Sequence, residues 1–112
     1  MSKQDKVLDR LSETLASRRN ADPETSYTAQ LFAGGPDSIL KKIGEECAEL
    51  IMAGKEGKRL KIVWESTDVI YHVLVLLAFY GLSVEDVLQE LRRREGISGI
   101  DEKKSRKAHK HE

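Results

Sequence analysis

Residues 68–79, DVIYHVLVLLAF, are apolar on most faces of a helix. A surface helix buries one stripe and leaves the rest to water, so a helix of this kind must be covered all round. A chain of 112 residues has material for one domain with one core, and can scarcely surround such a segment alone. The segment therefore predicts a helical bundle in which this helix packs against a second copy of the chain, most simply across a two-fold axis.

The remaining pattern is also helical. Prolines number two and aromatics are 5% of the chain, while Leu, Glu, Lys and Arg favour helix. Val7, Leu8, Leu11 and Leu15 recur at helical spacing and predict a first helix over residues 3–19. Asp22-Pro23 marks a loop. Residues 28–32 then form a short helical turn, ended by Gly34-Gly35-Pro36, and Pro36 is placed to open the next helix. That second helix runs over about 36–55 on a stripe of Ile39, Leu40, Ile43, Cys47, Leu50 and Ile51, and Gly54 and Gly57 bracket its end. A third helix, about 58–80, stops at Gly81. A fourth opens at Ser83, with Asp86 at the capping-box position and Leu82 placed to staple onto Val87, and continues to about residue 95. The expected fold is all-α, an antiparallel bundle of four main helices over residues 1–96, completed by dimerisation. Residues 97–112, with five Lys/Arg, two His and little to bury, read as a flexible basic tail.

Formal net charge is zero, which gives no electrostatic case for nucleic acid. No apolar run approaches the ~20 residues of a membrane span, and MSKQDKVLDR lacks a signal-peptide core. Cys47 is the single cysteine and cannot form an internal disulfide, so a reducing cytoplasm is the simplest setting. As part of the apolar stripe it reads as a small core residue.

The second helix carries KKIGEECAELI at 41–51. A helix turns ~100° per residue, which places Glu45, Glu46 and Glu49 along one flank of the apolar stripe, with Lys42 on the same side. On the third helix Glu65, Asp68 and His72, spaced by three and four, form a second stripe beside Ile62, Val69 and Val73. A tight turn at Gly57 makes the two helices antiparallel neighbours, so the two acidic edges can face each other across a groove. Glutamates at helical spacing are usually a solvated face. Two such stripes, each bordering an apolar face on adjacent helices, are harder to explain that way, because converging carboxylates repel. Oxygen ligands without clustered cysteine or histidine point to Mg²⁺, or to Mn²⁺. Such a site can activate water and neutralise a phosphoryl leaving group, and Lys41, Lys42, Lys55, Lys58 and Arg59 lie where they could meet phosphates. His72 fits a packing or supporting role better than that of a ligand. Trp64 lies opposite the third helix's main apolar face, at a dimer interface or beside a bound base.

Glu45-Glu46…Glu49 followed by Glu65…Asp68 resembles the MazG-type, all-α nucleotide pyrophosphohydrolases. Ser26-Tyr27-Thr28, Gly35-Pro36-Asp37, Lys41-Lys42 and Asp68…Tyr71-His72 narrow the likeness to the phosphoribosyl-ATP pyrophosphohydrolase family, over roughly residues 7–95. Trp64 departs from the pattern, since many relatives carry an acid there, and the tail over 103–111 belongs to no part of it. The resemblance implies Mg²⁺-dependent hydrolysis of phosphoribosyl-ATP to phosphoribosyl-AMP and pyrophosphate, the second step of histidine biosynthesis, by a stand-alone enzyme without a fused cyclohydrolase. It implies Glu46, Glu49, Glu65 and Asp68 as metal ligands, and Glu45 as a further ligand or the base that orients the attacking water. Lys41 or Lys42 would hold phosphates, and Asp37 would position the loop or contact substrate. The alternatives are a house-cleaning enzyme that removes non-standard nucleoside triphosphates at the same acidic site, and a non-catalytic helical module whose groove binds a basic partner.

Overall fold

The computed structural model describes residues 6–107 and contains helices and turns, with no strand among them. Helix α1 (Val7–Ser17) runs into a 3₁₀ turn at Arg18–Asn20, shorter at its end than the spacing of its leucines suggested. Residues 3–5 of the expected first helix lie outside the described residues. Helix α2 (Tyr27–Glu56) starts at Ser26, whose hydroxyl accepts from the Ala29 N–H at 3.1 Å and satisfies one of the open donors of the first turn.

Residues 27–34 and 36–56 are two helical segments meeting at Gly35, where φ is 79° and ψ is −174°. That region is open essentially to glycine alone, and Pro36 cannot donate the hydrogen bond that would continue the first segment. The expected break at Gly34-Gly35-Pro36 is therefore present, as a kink with no intervening loop. Gly57, at φ 72°, ends α2 in the left-handed conformation.

Helix α3 (Arg59–Phe79) ends in paired hydrogen bonds, Leu82 N–H to the Leu77 carbonyl at 2.8 Å and Gly81 N–H to that of Ala78 at 3.1 Å. This is a Schellman stop, and Gly81 at φ 73° supplies its left-handed residue. By length and composition α3 could cross a membrane, its most apolar eighteen-residue stretch having a mean hydropathy of 1.5. The sequence reading counted no apolar run of that length, because Glu65 and Asp68 interrupt this one.

Helix α4 (Val84–Arg94) opens with the Ser83 N–H donating to the Asp86 carboxylate at 2.9 Å, one half of the expected capping box. Leu82 and Val87, placed as a hydrophobic staple, both stay exposed.

Helices α2 and α3 pack most extensively, and α1 lies against α3 and α4. The core is Leu15, Leu31, Ile39, Leu74, Val75, Ala78 and Val84. Ile39 and Val75 are 0% exposed, and burial of each such side chain stabilises by about 1.5–3 kcal/mol. Cys47, expected in this core, is only half-buried. Helix α3 packs on α2 and α1 and keeps one face partly open. Its outer face, with Val69, Ile70, Val73 and Leu77, joins Leu88 and Leu91 of α4 in an open apolar groove of about 240 Å³. Trp64 is also exposed.

The segment expected to fray instead carries a fifth helix, α5 (Gly99–Lys107). Glu102, only 4% exposed, is ion-paired to Arg93, lies 2.7 Å from Arg106 and 3.6 Å from Arg94. On α4, hydrogen bonds from Arg93 and then Arg94 hold the Glu90 carboxyl down to about 2. Composition marked this segment as polar and so missed that one of its acids lies in reach of the arginines ending α4. Residues 108–112, including His109 and His111 of the expected tail, lie outside the described residues. A polar helix of nine residues is shorter than the ~12–15 needed for an isolated helix, so α5 depends on this ionic clasp. Glu102→Ala is expected to raise amide exchange over 99–107 to unfolded-chain rates, with the global melting temperature almost unmoved. Unchanged protection would mean that other contacts hold α5.

Candidate active site

The second segment of α2 and the first half of α3 present carboxylates to one groove. Glu46, Glu49 and Glu65 each offer an oxygen within 4.8 Å of the others. Glu46 and Glu65 are half-buried and Glu49 is exposed. They meet because acids three or four residues apart share a helix flank and the turn at Gly57 sets the two flanks side by side. Asp68, one turn after Glu65, stands close enough to Glu46 to act on its ionisation.

The electrostatics follow from that crowding. Burial, then hydrogen bonding and repulsion from Asp68, then Glu49 and Glu65, raise the Glu46 carboxyl above the usual 4.5. Glu65 is raised by burial first, then by Glu49 and Asp68, with Lys61 opposing. Oxygen Oε1 of Glu65 is buried without a hydrogen-bond partner, a costly state for a carboxylate. An all-oxygen donor set, mutual repulsion and an orphaned buried oxygen fit a hard divalent cation.

The sign of the pH effect can be worked out. Both carboxyls keep their protons to higher pH in the folded chain than in the unfolded one, so the folded state binds more protons just above pH 4.5. Without metal, their contribution to stability falls as pH rises through that window. The melting temperature of chelator-treated protein is expected to drop across this range more steeply than that of Glu65→Gln. Added Mg²⁺ should restore it above the window, since a ligand that binds only the folded state stabilises it. Parallel curves for the two proteins would rule out the crowding.

The other candidates fall elsewhere. Glu45 turns to the rim, 3.5 Å from the Lys42 ammonium, and is not one of the three clustered acids. Asp37, in the first turn after Pro36, and Lys41 are exposed and also outside the cluster. The lysine that acts on Glu65 is Lys61 of α3, which the helical wheel did not single out.

His72 is buried beneath the groove. Its Nδ1 lies 2.9 Å from the Asp68 carbonyl and its Nε2 2.8 Å from the Tyr27 hydroxyl. Tyr27 is the site residue the sequence left without a role, and its family motif was the only signal for it.

The phosphoribosyl-ATP pyrophosphohydrolase family model matches residues 8–95. A phosphoribosyl-ATP pyrophosphatase of Dechloromonas aromatica is 86% identical over 100 residues, covering 89% of this chain and 93% of the relative. One of Azoarcus sp. is 60% identical over 101 residues, 90% of this chain and 94% of the relative. One of Geobacter sulfurreducens is 52% identical over 106 residues, 95% of this chain and 98% of the relative. The matched span holds the kink at Gly35, both acidic flanks and the Tyr27–His72 contact, and on these findings the chain belongs to the phosphoribosyl-ATP pyrophosphohydrolase family.

Proposed function

We propose that the groove hydrolyses phosphoribosyl-ATP to phosphoribosyl-AMP and pyrophosphate, the second step of histidine biosynthesis. The observation that carries the reading is the convergence of Glu46, Glu49 and Glu65 around an orphaned carboxylate oxygen, in a chain whose relatives are named for that reaction. Glu46, Glu49 and Glu65 would hold Mg²⁺, or Mn²⁺, with Asp68 beside Glu46. A bound cation would supply an acidified water and charge for the departing pyrophosphate.

The chain's own groups do the rest. Glu45, outside the cluster and exposed, would orient water as a general base. Lys42, paired with Glu45 at the rim, meets phosphates as a point charge, with Lys41 and Asp37 further along the same helix. The open apolar face of α3 and α4 serves as the dimer contact, which light scattering would check, and the lone Cys47 thiol suits a reducing cytoplasm.

The test is Mg²⁺-dependent pyrophosphate release from phosphoribosyl-ATP, measured against dUTP and dCTP. Preference for phosphoribosyl-ATP supports the assignment. Cleavage of the deoxynucleotides alone would reassign the groove to a house-cleaning enzyme. No cleavage of any nucleotide would leave it a binding surface.

A further inference from the structure

Two neighbouring side-chain pairs pin the first turn of α2 to α3. Tyr27 Oη is 2.8 Å from His72 Nε2, and Thr28 Oγ1 is 2.6 Å from Tyr71 Oη. The first pair continues towards the groove. His72 Nδ1 lies 2.9 Å from the carbonyl oxygen of Asp68, so two hydrogen bonds in series join Tyr27 to the backbone of an acid.

Their directions follow from donor chemistry. The Asp68 carbonyl can only accept, so the imidazole proton sits on Nδ1. The neutral ring then leaves Nε2 as an acceptor, and the Tyr27 hydroxyl donates to it. His72 is 6% exposed, and a buried Nε2 stripped of its donor would be left unsatisfied at a cost. Tyr27 is 47% exposed, so the core does not require its ring. What it supplies to the interior is one hydroxyl.

Asp68 needs such a hold. It is exposed, one turn after Glu65 and close enough to Glu46 to act on its ionisation. Packing does not fix its carboxylate, and repulsion from the neighbouring acids favours its turning out to water. A side chain that bonds the carbonyl four residues back often bends the helix at that turn. The imidazole thus sets the backbone from which the Asp68 side chain departs. Groups behind a metal-binding carboxylate govern how well it meets the metal.

We propose that Tyr27 and His72 are positioning residues for Asp68: the phenol holds the imidazole, and the imidazole holds the turn of α3 that sets the carboxylate beside Glu46. The proposal rests on the reading of the groove as a divalent-cation site.

The experiment measures Mn²⁺ binding by calorimetry, without nucleotide, in wild type, Tyr27→Phe, Asp68→Asn and the double variant. Tyr27→Phe removes one hydroxyl from a half-exposed side chain. It is expected to raise the Mn²⁺ Kd about 3- to 10-fold, the range for one hydrogen bond. In the Asp68→Asn background the same change should move Kd by less than about twofold, because the group being positioned is gone. Thr28→Val is the control for loosened packing. It breaks the neighbouring bond between the same two turns, a bond that involves no acid. Thr28 is 4% exposed, so this variant's melting temperature should fall at least as far as that of Tyr27→Phe. Its Kd should stay within about twofold of wild type.

An unchanged Kd in Tyr27→Phe, equal rises in Tyr27→Phe and Thr28→Val, or factors that multiply in the double variant would each overturn the positioning role and leave the cation site standing. Wild type that binds no Mn²⁺ would overturn the reading of the groove, and the proposal with it.

Discussion

Glu46→Gln is expected to lower Mg²⁺-dependent pyrophosphate release by about 10²- to 10³-fold, equivalent to about 3–4 kcal/mol of lost transition-state stabilisation. The substitution keeps the side chain's size and removes one anionic oxygen from the cluster with Glu49 and Glu65. The same change should raise the melting temperature of metal-free protein near neutral pH. Glu46 is held above its ordinary range by burial and by its acidic neighbours, so removing its charge relieves a penalty. Loss of activity with gain of stability cannot come from damage to the fold. The assay is pyrophosphate release at saturating and limiting Mg²⁺, with thermal melts on chelator-treated samples. Activity within about threefold of wild type would show that the acids are a solvated face.

Ile39→Ala is expected to cost about 2–5 kcal/mol of folding stability, a large share of the ~5–15 kcal/mol typical of a whole domain. Ile39 is 0% exposed and sits just after the Gly35 kink, in the core cluster with Leu15, Leu31, Leu74 and Val75. Its truncation removes buried methyl groups and leaves a cavity where both segments of α2 meet α3. The melting temperature should fall by at least ~10 °C. Ile39→Val, losing one methylene, should cost about 0.5–1.5 kcal/mol. Chemical denaturation of both variants is the check, and equal midpoints for Ile39→Ala and wild type would mean that this face is not the core. Unlike Glu46→Gln, this variant should keep its turnover at low temperature, where it remains folded.

Much of the site was legible because its information is local. Spacing of three and four is enough to put Glu46 beside Glu49 and Glu65 beside Asp68, and a glycine stop at residue 57 is enough to make the two helices neighbours. Spacing could not say which rotamers converge. Glu45 shares the flank of Glu46 but turns to Lys42, and Asp68 lies beside Glu46 but outside the group of three. On a helical wheel these five acids look alike.

The sequence by itself determined the four main helices, most of their stops and the acidic flanks, because periodicity, Pro36 and Ser83 as starts, and Gly57 and Gly81 as ends act within one or two turns of chain. Tertiary structure decided the pairs between distant residues. Tyr27 meets His72, 45 positions away, across the packing of α2 on α3, and no local preference specifies how those two helices pack. Glu102 is buried only because α5 returns to the arginines of α4, so a segment that is polar by composition becomes ordered through ion pairs. Hydrogen bonds and charges across helices depend on where whole elements pack, and that geometry is set by the core that Ile39 and Val75 close.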